Sequence, residues 1–173
     1  MKWHKILLLT AGLFFIYRCS SPTDSPRLVV GVAASTQFVV QELIDSFERK
    51  TGGSVQVIRS STGKLVAQIE QGAAIDILMA ADTFYPHYLY QRKKTVRPLV
   101  YASGILAFWS KDKMDLSALA QCSKIAIADP KTAPYGKLAL DFLQKNGQDS
   151  LLSKFIYGES VAQVNHYIAT ESV

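Results

Sequence analysis

Residues 60–82 read SSTGKLVAQIEQGAAIDILMAAD, and they contain a structural unit that the rest of the chain repeats. Hydroxyl residues at the start are followed by a helical pattern, in which Leu65 and Ile69 share an apolar face and Gly72 ends the helix. The apolar run 75–80 then predicts a buried strand. The first turn of a helix leaves backbone N–H groups without acceptors, so this opening is suited to a small anion.

Length and charge limit the classes of protein that this sequence can encode. With 173 residues the chain can bury a core, but it is short for two complete α/β domains, which usually take about 100–200 residues each. The net charge is +5, yet the first 19 residues supply three basic and no acidic side chains, which leaves 16 basic against 14 acidic ones. Charge therefore does not indicate a nucleic acid as partner.

The first 19 residues have the pattern of a secretory signal peptide. A basic start precedes the apolar segment 6–16, which is too short to span a membrane as a stable helix. Residues 20–26 (SSPTDSP) are interpreted as a tether, and Cys19 before them resembles the lipidated cysteine of a lipoprotein. The sequence allows two alternatives, lipidation of Cys19 and cleavage of the signal peptide without lipidation. Both predict export to the periplasm or cell envelope.

The rest of the chain alternates strand and helix patterns. Apolar runs predict strands at residues 27–34, 54–59, 75–80, 104–109, 124–128 and 155–157. Helical spacing predicts helices at residues 37–50, 82–94, 116–121 and 134–145, and another that begins near residue 161. This alternation predicts parallel α/β sheets, and the pair Ser103-Gly104 is the predicted crossing between a first lobe, 27–103, and a second lobe, 104–173.

Four predicted helices begin at the carboxyl ends of strands, where ligands of parallel sheets bind. Their openings are Ala34-Ser35-Thr36, Ser61-Thr62-Gly63, Ala133-Pro134-Tyr135 and Gly158-Glu159-Ser160. Each supplies N–H donors and a partial positive charge, and each hydroxyl adds a donor that rotates. Several such donors together suffice for a small oxyanion, whereas the alternative is that each hydroxyl only caps its own helix.

Nucleotide and ester hydrolysis fit the sequence less well. A phosphate-binding loop ending at Gly63-Lys64 would need glycine at position 58, which is Ile58, and a hydroxyl at position 65, which is Leu65. Neither Ser35 nor Ser61 lies in the G-x-S-x-G elbow of a serine hydrolase. We therefore expect a protein that is not an enzyme, with esterase or phosphatase activity at Ser35 as the remaining catalytic alternative.

The titratable residues do not predict a metal centre. His87 and His166 have no second ligand at metal-binding spacing, so no metal coordinated by side chains is expected. Asp76 and Asp82 bracket a predicted strand and are interpreted as capping and turn residues rather than as an acid pair.

Several motifs, taken in order, carry a family resemblance that runs from about residue 28 to the last residue. They are AAST at 33–36, SSTGKL at 60–65, QIEQGA at 68–73, DILMAAD at 76–82, ADP at 128–130, PYG at 134–136 and GESV at 158–161. Together they resemble the periplasmic molybdate-binding proteins of ABC uptake systems.

The resemblance implies an α/β fold of the type II periplasmic-binding-protein class, with two lobes and mainly parallel sheets. It implies a monomer that closes on molybdate or tungstate through neutral donors, without a cofactor, and delivers the anion to a membrane permease with its ATPase. The implied ligand residues are Ser35 and Thr62, through hydroxyl and N–H, and Tyr135 and Val161, through their backbone N–H groups.

Two departures from the family leave alternatives open. Thr62 replaces the usual serine but keeps its hydroxyl. Family members also continue beyond the position of Val173 with a strand of the second lobe, a tyrosine that reaches the anion and a return to the first lobe, so both lobes are expected to be incomplete. The alternatives are a remnant that no longer binds, and a binder of another tetrahedral oxyanion such as sulfate. The residues do not separate molybdate from tungstate.

Overall fold

The computed structural model describes residues 27–173, so the predicted signal peptide, Cys19 and the tether lie outside the described residues. Strands and helices alternate along the chain: β1 (Arg27–Ala33), α1 (Gln37–Thr51), β2 (Ser54–Ser60), α2 (Thr62–Glu70), β3 (Ile77–Met79), α3 (Phe84–Gln91), β4 (Ile125–Ala128), α4 (Pro134–Lys145), β5 (Phe155–Gly158) and α5 (Val161–Ala169). Three 3-10 helices span Ala34–Thr36, Leu116–Gln121 and Asp149–Lys154. No helix within 27–173 has the length and apolar character needed to cross a membrane.

Both sheets in the described part of the chain are parallel, as the alternation predicts. One has the strand order β2-β1-β3, and the other pairs β4 with β5. In the first sheet Ala33 lies opposite Ser60, and in the second Ala128 lies opposite Gly158. Neighbouring strands therefore end side by side, and the helices that follow them begin at a common edge.

Two separate hydrophobic cores support the two-lobe architecture. The first joins β1 to α1 through Val30, Val32, Val40 and Ile44. The second joins β4 to α4 and to two 3-10 helices through Leu119, Ile125, Ile127, Leu143 and Leu151. Because each sheet packs against its own helices, each lobe has its own core. The boundary at residues 103 and 104 stays a prediction.

The predicted strand at residues 104–109 is wrong, because the structure has no strand there. A strand forms when a neighbour completes its backbone hydrogen bonds, and among residues 27–173 neither sheet includes this run. Its apolar side chains are instead largely exposed, with Ile105 at 88% and Trp109 at 59%.

Three other predicted elements differ in extent or type. Strand β3 begins at Ile77 rather than Ile75, because the Ile75 N–H is used in a turn to the Ala73 carbonyl. Helix α3 covers Phe84–Gln91 rather than 82–94, and the predicted helix at 116–121 is a 3-10 helix. These differences leave the order of elements around the strand ends unchanged.

Candidate functional site

A small cavity lies beyond the carboxyl ends of both sheets and contains all four residues predicted from the sequence. It is lined by Ala33, Ala34, Ser35, Ser61, Thr62, Ala81, Ala133, Pro134, Tyr135, Ser160 and Val161. None of these lining residues, all in the described part of the chain, has a charged side chain. The space open to the centre of a water molecule is about 10 Å³, room for about one water.

The register of the two sheets explains why residues so distant in sequence meet here. Since Ala33 pairs with Ser60, the residues that follow each strand, Ser35 and Thr62, emerge next to one another. In the second lobe Ala128 pairs with Gly158, so the openings of α4 and α5 are also neighbours. The cavity is thus formed by helix beginnings from both lobes.

The Thr62 hydroxyl accepts one hydrogen bond and still has its proton to donate to the cavity. The Thr62 side chain is fully buried, and its Oγ accepts a hydrogen bond from the Ala81 N–H at 3.1 Å. The Thr62 hydroxyl proton is therefore free to be donated elsewhere. Ser35 lies in the 3-10 helix before α1 and is exposed, so it forms part of the rim.

Tyr135 and Val161 contribute backbone amides in the first turns of their helices. Tyr135 follows Pro134 at the start of α4, where the proline ring fixes a helical φ and has no N–H of its own. Val161 is the first residue of α5. First-turn amides have no acceptor within the helix, and the helix dipole makes their surroundings positive. Both positions can therefore receive an anion without a cationic side chain.

Two further serines line the cavity, Ser61 and Ser160, which belong to the predicted helix openings but not to the implied ligand set. Ser160 caps α5, because its Oγ accepts a hydrogen bond from the Gln163 N–H at 3.4 Å. Ser61 precedes α2 but makes no such side-chain cap. The three consecutive hydroxyl residues at 60–62 were the available signal, because neighbours of a predicted ligand in one turn share its surroundings.

Three polar contacts hold the two lobes together beside the cavity. The Gly63 N–H donates to the Thr132 carbonyl at 2.9 Å, and the Lys64 ammonium pairs with Glu159 at 2.7 Å. The Tyr85 hydroxyl donates to the Lys131 carbonyl at 3.4 Å. These contacts link the side of the cavity that comes from the first lobe to the side that comes from the second.

A larger open cleft continues from the small cavity and provides a route to it. Its volume is about 450 Å³, and it shares Ala81, Ala133, Pro134 and Tyr135 with the small cavity. These shared residues place the cleft next to the helix openings, so a solute can approach them from this side.

Of the two aspartates that bracket β3, Asp82 is a local turn acceptor, as the sequence predicts, whereas Asp76 accepts a hydrogen bond from the distant strand β1. Asp76 accepts from the Val29 N–H at 2.7 Å, and Asp82 accepts from the Tyr85 N–H at 3.2 Å. Burial raises the pKa of Asp82 above its ordinary value, while the Tyr85 N–H partly opposes that rise. Within 27–173, no three His, Cys, Asp or Glu side chains are grouped so as to hold a metal ion.

Comparison with known proteins places this geometry in a family. The family model described as bacterial extracellular solute-binding protein matches residues 28–173. The molybdate-binding protein ModA of Azotobacter vinelandii is 32% identical over 174 aligned positions, which cover 95% of this chain and 67% of that protein. The molybdate-binding protein ModA of Rhodobacter capsulatus is 31% identical over 167 positions, covering 92% and 66%.

A solved structure agrees with the sequence comparison. The periplasmic molybdate-binding protein of Azotobacter vinelandii matches with a TM-score of 0.71 and 26% identity, over 84% of this chain and 68% of that chain. This likeness confirms the predicted α/β fold and the resemblance to periplasmic molybdate-binding proteins. The chain spans about two thirds of the length of these relatives. It belongs to the family of bacterial extracellular solute-binding proteins.

Proposed function

We propose that this protein binds molybdate or tungstate outside the cytoplasm and delivers it to the permease of an ABC importer. The observation that carries the proposal is the cavity itself. Ser35, Thr62, Tyr135 and Val161 line one small space between the lobes, and no charged side chain lines it. The similarity to two molybdate-binding proteins supports the choice of anion.

Neutral donors are strong enough for this task when several of them converge. A hydrogen bond to a charged group contributes about 1.5–3 kcal/mol, and micromolar affinity requires about 8 kcal/mol. One helix opening therefore falls short, whereas the four proposed ligand residues together reach the required range. The amides of Thr62, Tyr135 and Val161 are held in place by α2, α4 and α5, so little ordering of these three is needed on binding.

The donor character of the cavity favours an anion without protons. Molybdate, tungstate and sulfate at neutral pH only accept hydrogen bonds, whereas hydrogen phosphate also donates one. No carboxylate that could receive such a proton lines the cavity formed by these described residues. We therefore expect discrimination against phosphate by donor and acceptor matching.

Export and anchoring are proposed on the sequence of residues 1–26. The basic start and apolar segment support secretion by a signal peptide of residues 1–19, with Cys19 as a site of lipidation. The lipidated protein and the simply cleaved protein would both have their folded lobes on the outer side of the membrane, where the permease receives the solute. A monomer is sufficient for this role, because both walls of the cavity come from one chain.

Isothermal titration calorimetry of the purified protein tests the proposal. Molybdate and tungstate should bind with similar micromolar or tighter affinity, and phosphate should bind far more weakly. The Ser35→Ala variant should bind molybdate about ten- to a hundredfold more weakly, because one charge-assisted hydrogen bond is lost. Absence of heat and of any thermal shift at millimolar molybdate would show that this chain does not bind it. Tighter binding of sulfate than of molybdate would show that the proposed anion is wrong and that sulfate is the ligand.

A further inference from the structure

Ser61 has a hydroxyl that is buried at the wall of the cavity without a hydrogen-bond partner. Its exposed fraction is 3%, and it lines the same cavity as Ser35 and Thr62. Among residues 27–173, no protein group pairs with its Oγ. Buried hydroxyls in folded proteins are nearly always paired, so this one requires an explanation.

The usual explanation for a serine at this position does not apply. Ser61 directly precedes α2 with extended backbone angles, as an N-cap residue does, but its side chain accepts no hydrogen bond from the first turn. Its backbone carbonyl accepts from the Leu65 N–H at 3.1 Å, so the main chain is engaged while the hydroxyl is not. A capping role therefore leaves the Ser61 hydroxyl unaccounted for.

We propose that the Ser61 hydroxyl donates a hydrogen bond to the bound oxyanion. This inference rests on the proposed function and adds a ligand residue to it. An acceptor-only dianion has enough lone pairs to take one bond from each of the two adjacent hydroxyls, Ser61 and Thr62. The Ser61 hydroxyl is already buried in the free protein, so anion binding does not have to remove it from water. On binding, the unpaired hydroxyl gains a hydrogen-bond partner.

Two substitutions separate a ligand role from a structural one. Ser61→Ala removes the hydroxyl at the cavity, and Thr132→Val removes the second buried hydroxyl that lacks a partner in the described chain. Thr132 is the matched control because its side chain does not line this cavity, and valine keeps the backbone carbonyl that accepts from the Gly63 N–H. Neither change should lower the melting temperature of the ligand-free protein, since each removes a buried polar group that has no bond to lose.

Calorimetric titration with molybdate should then distinguish the two variants. Ser61→Ala should weaken binding about ten- to a hundredfold, whereas Thr132→Val should bind like the wild type. Ser61→Cys, which keeps a weak donor of similar shape, should fall between Ser61→Ala and the wild type.

Two results would overturn this inference while leaving the proposed function intact. The first is that Ser61→Ala binds molybdate as tightly as the wild type while Ser35→Ala binds it more weakly. The second is that Thr132→Val loses as much molybdate affinity as Ser61→Ala. Failure of the wild type to bind any oxyanion would instead remove the proposed function, and this inference with it.

Discussion

Gly63 in the first lobe donates its backbone N–H to the carbonyl oxygen of Thr132 in the second lobe at 2.9 Å. Gly63 follows Thr62 in the first turn of α2, and Thr132 precedes the opening of α4. The hydrogen bond therefore joins the two lobes next to two of the proposed ligand residues. We expect this contact to help hold the proposed anion site in shape.

Gly63→Ala should weaken molybdate binding by disturbing that contact. A Cβ atom at position 63 would lie 2.7 Å from the Tyr85 hydroxyl and 2.8 Å from the Thr132 carbonyl oxygen. Alanine favours a helix over glycine by about 0.5–1 kcal/mol, but the clash with a backbone carbonyl cannot be relieved by a rotamer change. We expect at least a tenfold loss of affinity by calorimetry.

Gly53→Ala is the matched control for this substitution. Position 53 lies away from the cleft, and the nearest atom to an added Cβ would be the Thr51 Oγ at 3.3 Å. Its molybdate affinity should match that of the wild type. Equal losses in Gly53→Ala and Gly63→Ala would contradict the coupling between this contact and the anion site.

Lys64→Gln tests whether a cation takes part in binding. Lys64 pairs with Glu159 across the lobes at 2.7 Å, but the two side chains are 39% and 75% exposed. Exposed ion pairs contribute only about 0.2–1 kcal/mol, so the loss of affinity should stay below about tenfold and shrink with added salt. The control is Lys111→Gln, which breaks another exposed pair, with Glu171 at 2.9 Å. A hundredfold loss confined to Lys64→Gln would mean that an ammonium group contacts the anion.

Thr62→Val should reduce both stability and affinity. The Thr62 Oγ accepts the Ala81 N–H, so the substitution leaves that amide unpaired at a cost of about 1–3 kcal/mol and also removes a proposed donor. Thr62→Ser keeps the hydroxyl and should retain most of the affinity. Urea unfolding and calorimetry of the two variants measure these effects. A Thr62→Val protein with wild-type stability would show that the bond to Ala81 is not formed.

Asp82→Asn should change the pH dependence of stability. Burial raises the pKa of Asp82, so the folded state holds this proton more tightly than the unfolded state does. Its stabilising contribution is present at low pH and is lost as the pH rises from about 4 through the raised pKa. Asparagine keeps the acceptor for the Tyr85 N–H but does not ionise. The stability of Asp82→Asn relative to the wild type should therefore increase over this interval in thermal melts, and a decrease would contradict the raised pKa.

The elements that could be predicted from the sequence are those whose signals are local. The spacing of Val40 and Ile44 marks α1, and Gly52, with a φ of 69°, ends that helix as glycine commonly does. The grouping of helix openings within each sheet was also predictable, because parallel strands place the following turns at one edge. The choice of Ser35, Thr62, Tyr135 and Val161 as ligand residues was implied by the family resemblance.

The features that the sequence predicts wrongly or does not predict depend on residues that are distant along the chain. The apolar run 104–109 has the composition of a strand, but a strand also needs a neighbouring backbone, which composition does not specify. The unpaired state of Ser61 is equally non-local, because it depends on which groups the folded chain brings to its hydroxyl. The sequence shows which residues carry hydroxyls, but the fold determines which atoms those hydroxyls contact.

The most direct test is anomalous diffraction at the molybdenum edge from crystals of the protein grown with molybdate. We predict a single strong peak in the small cavity, with oxygen atoms about 2.7–3.2 Å from the backbone nitrogens of Tyr135 and Val161 and from the hydroxyls of Ser35 and Thr62. A peak outside this cavity, or one coordinated by lysine side chains, would contradict the claim that neutral donors from helix beginnings hold the anion.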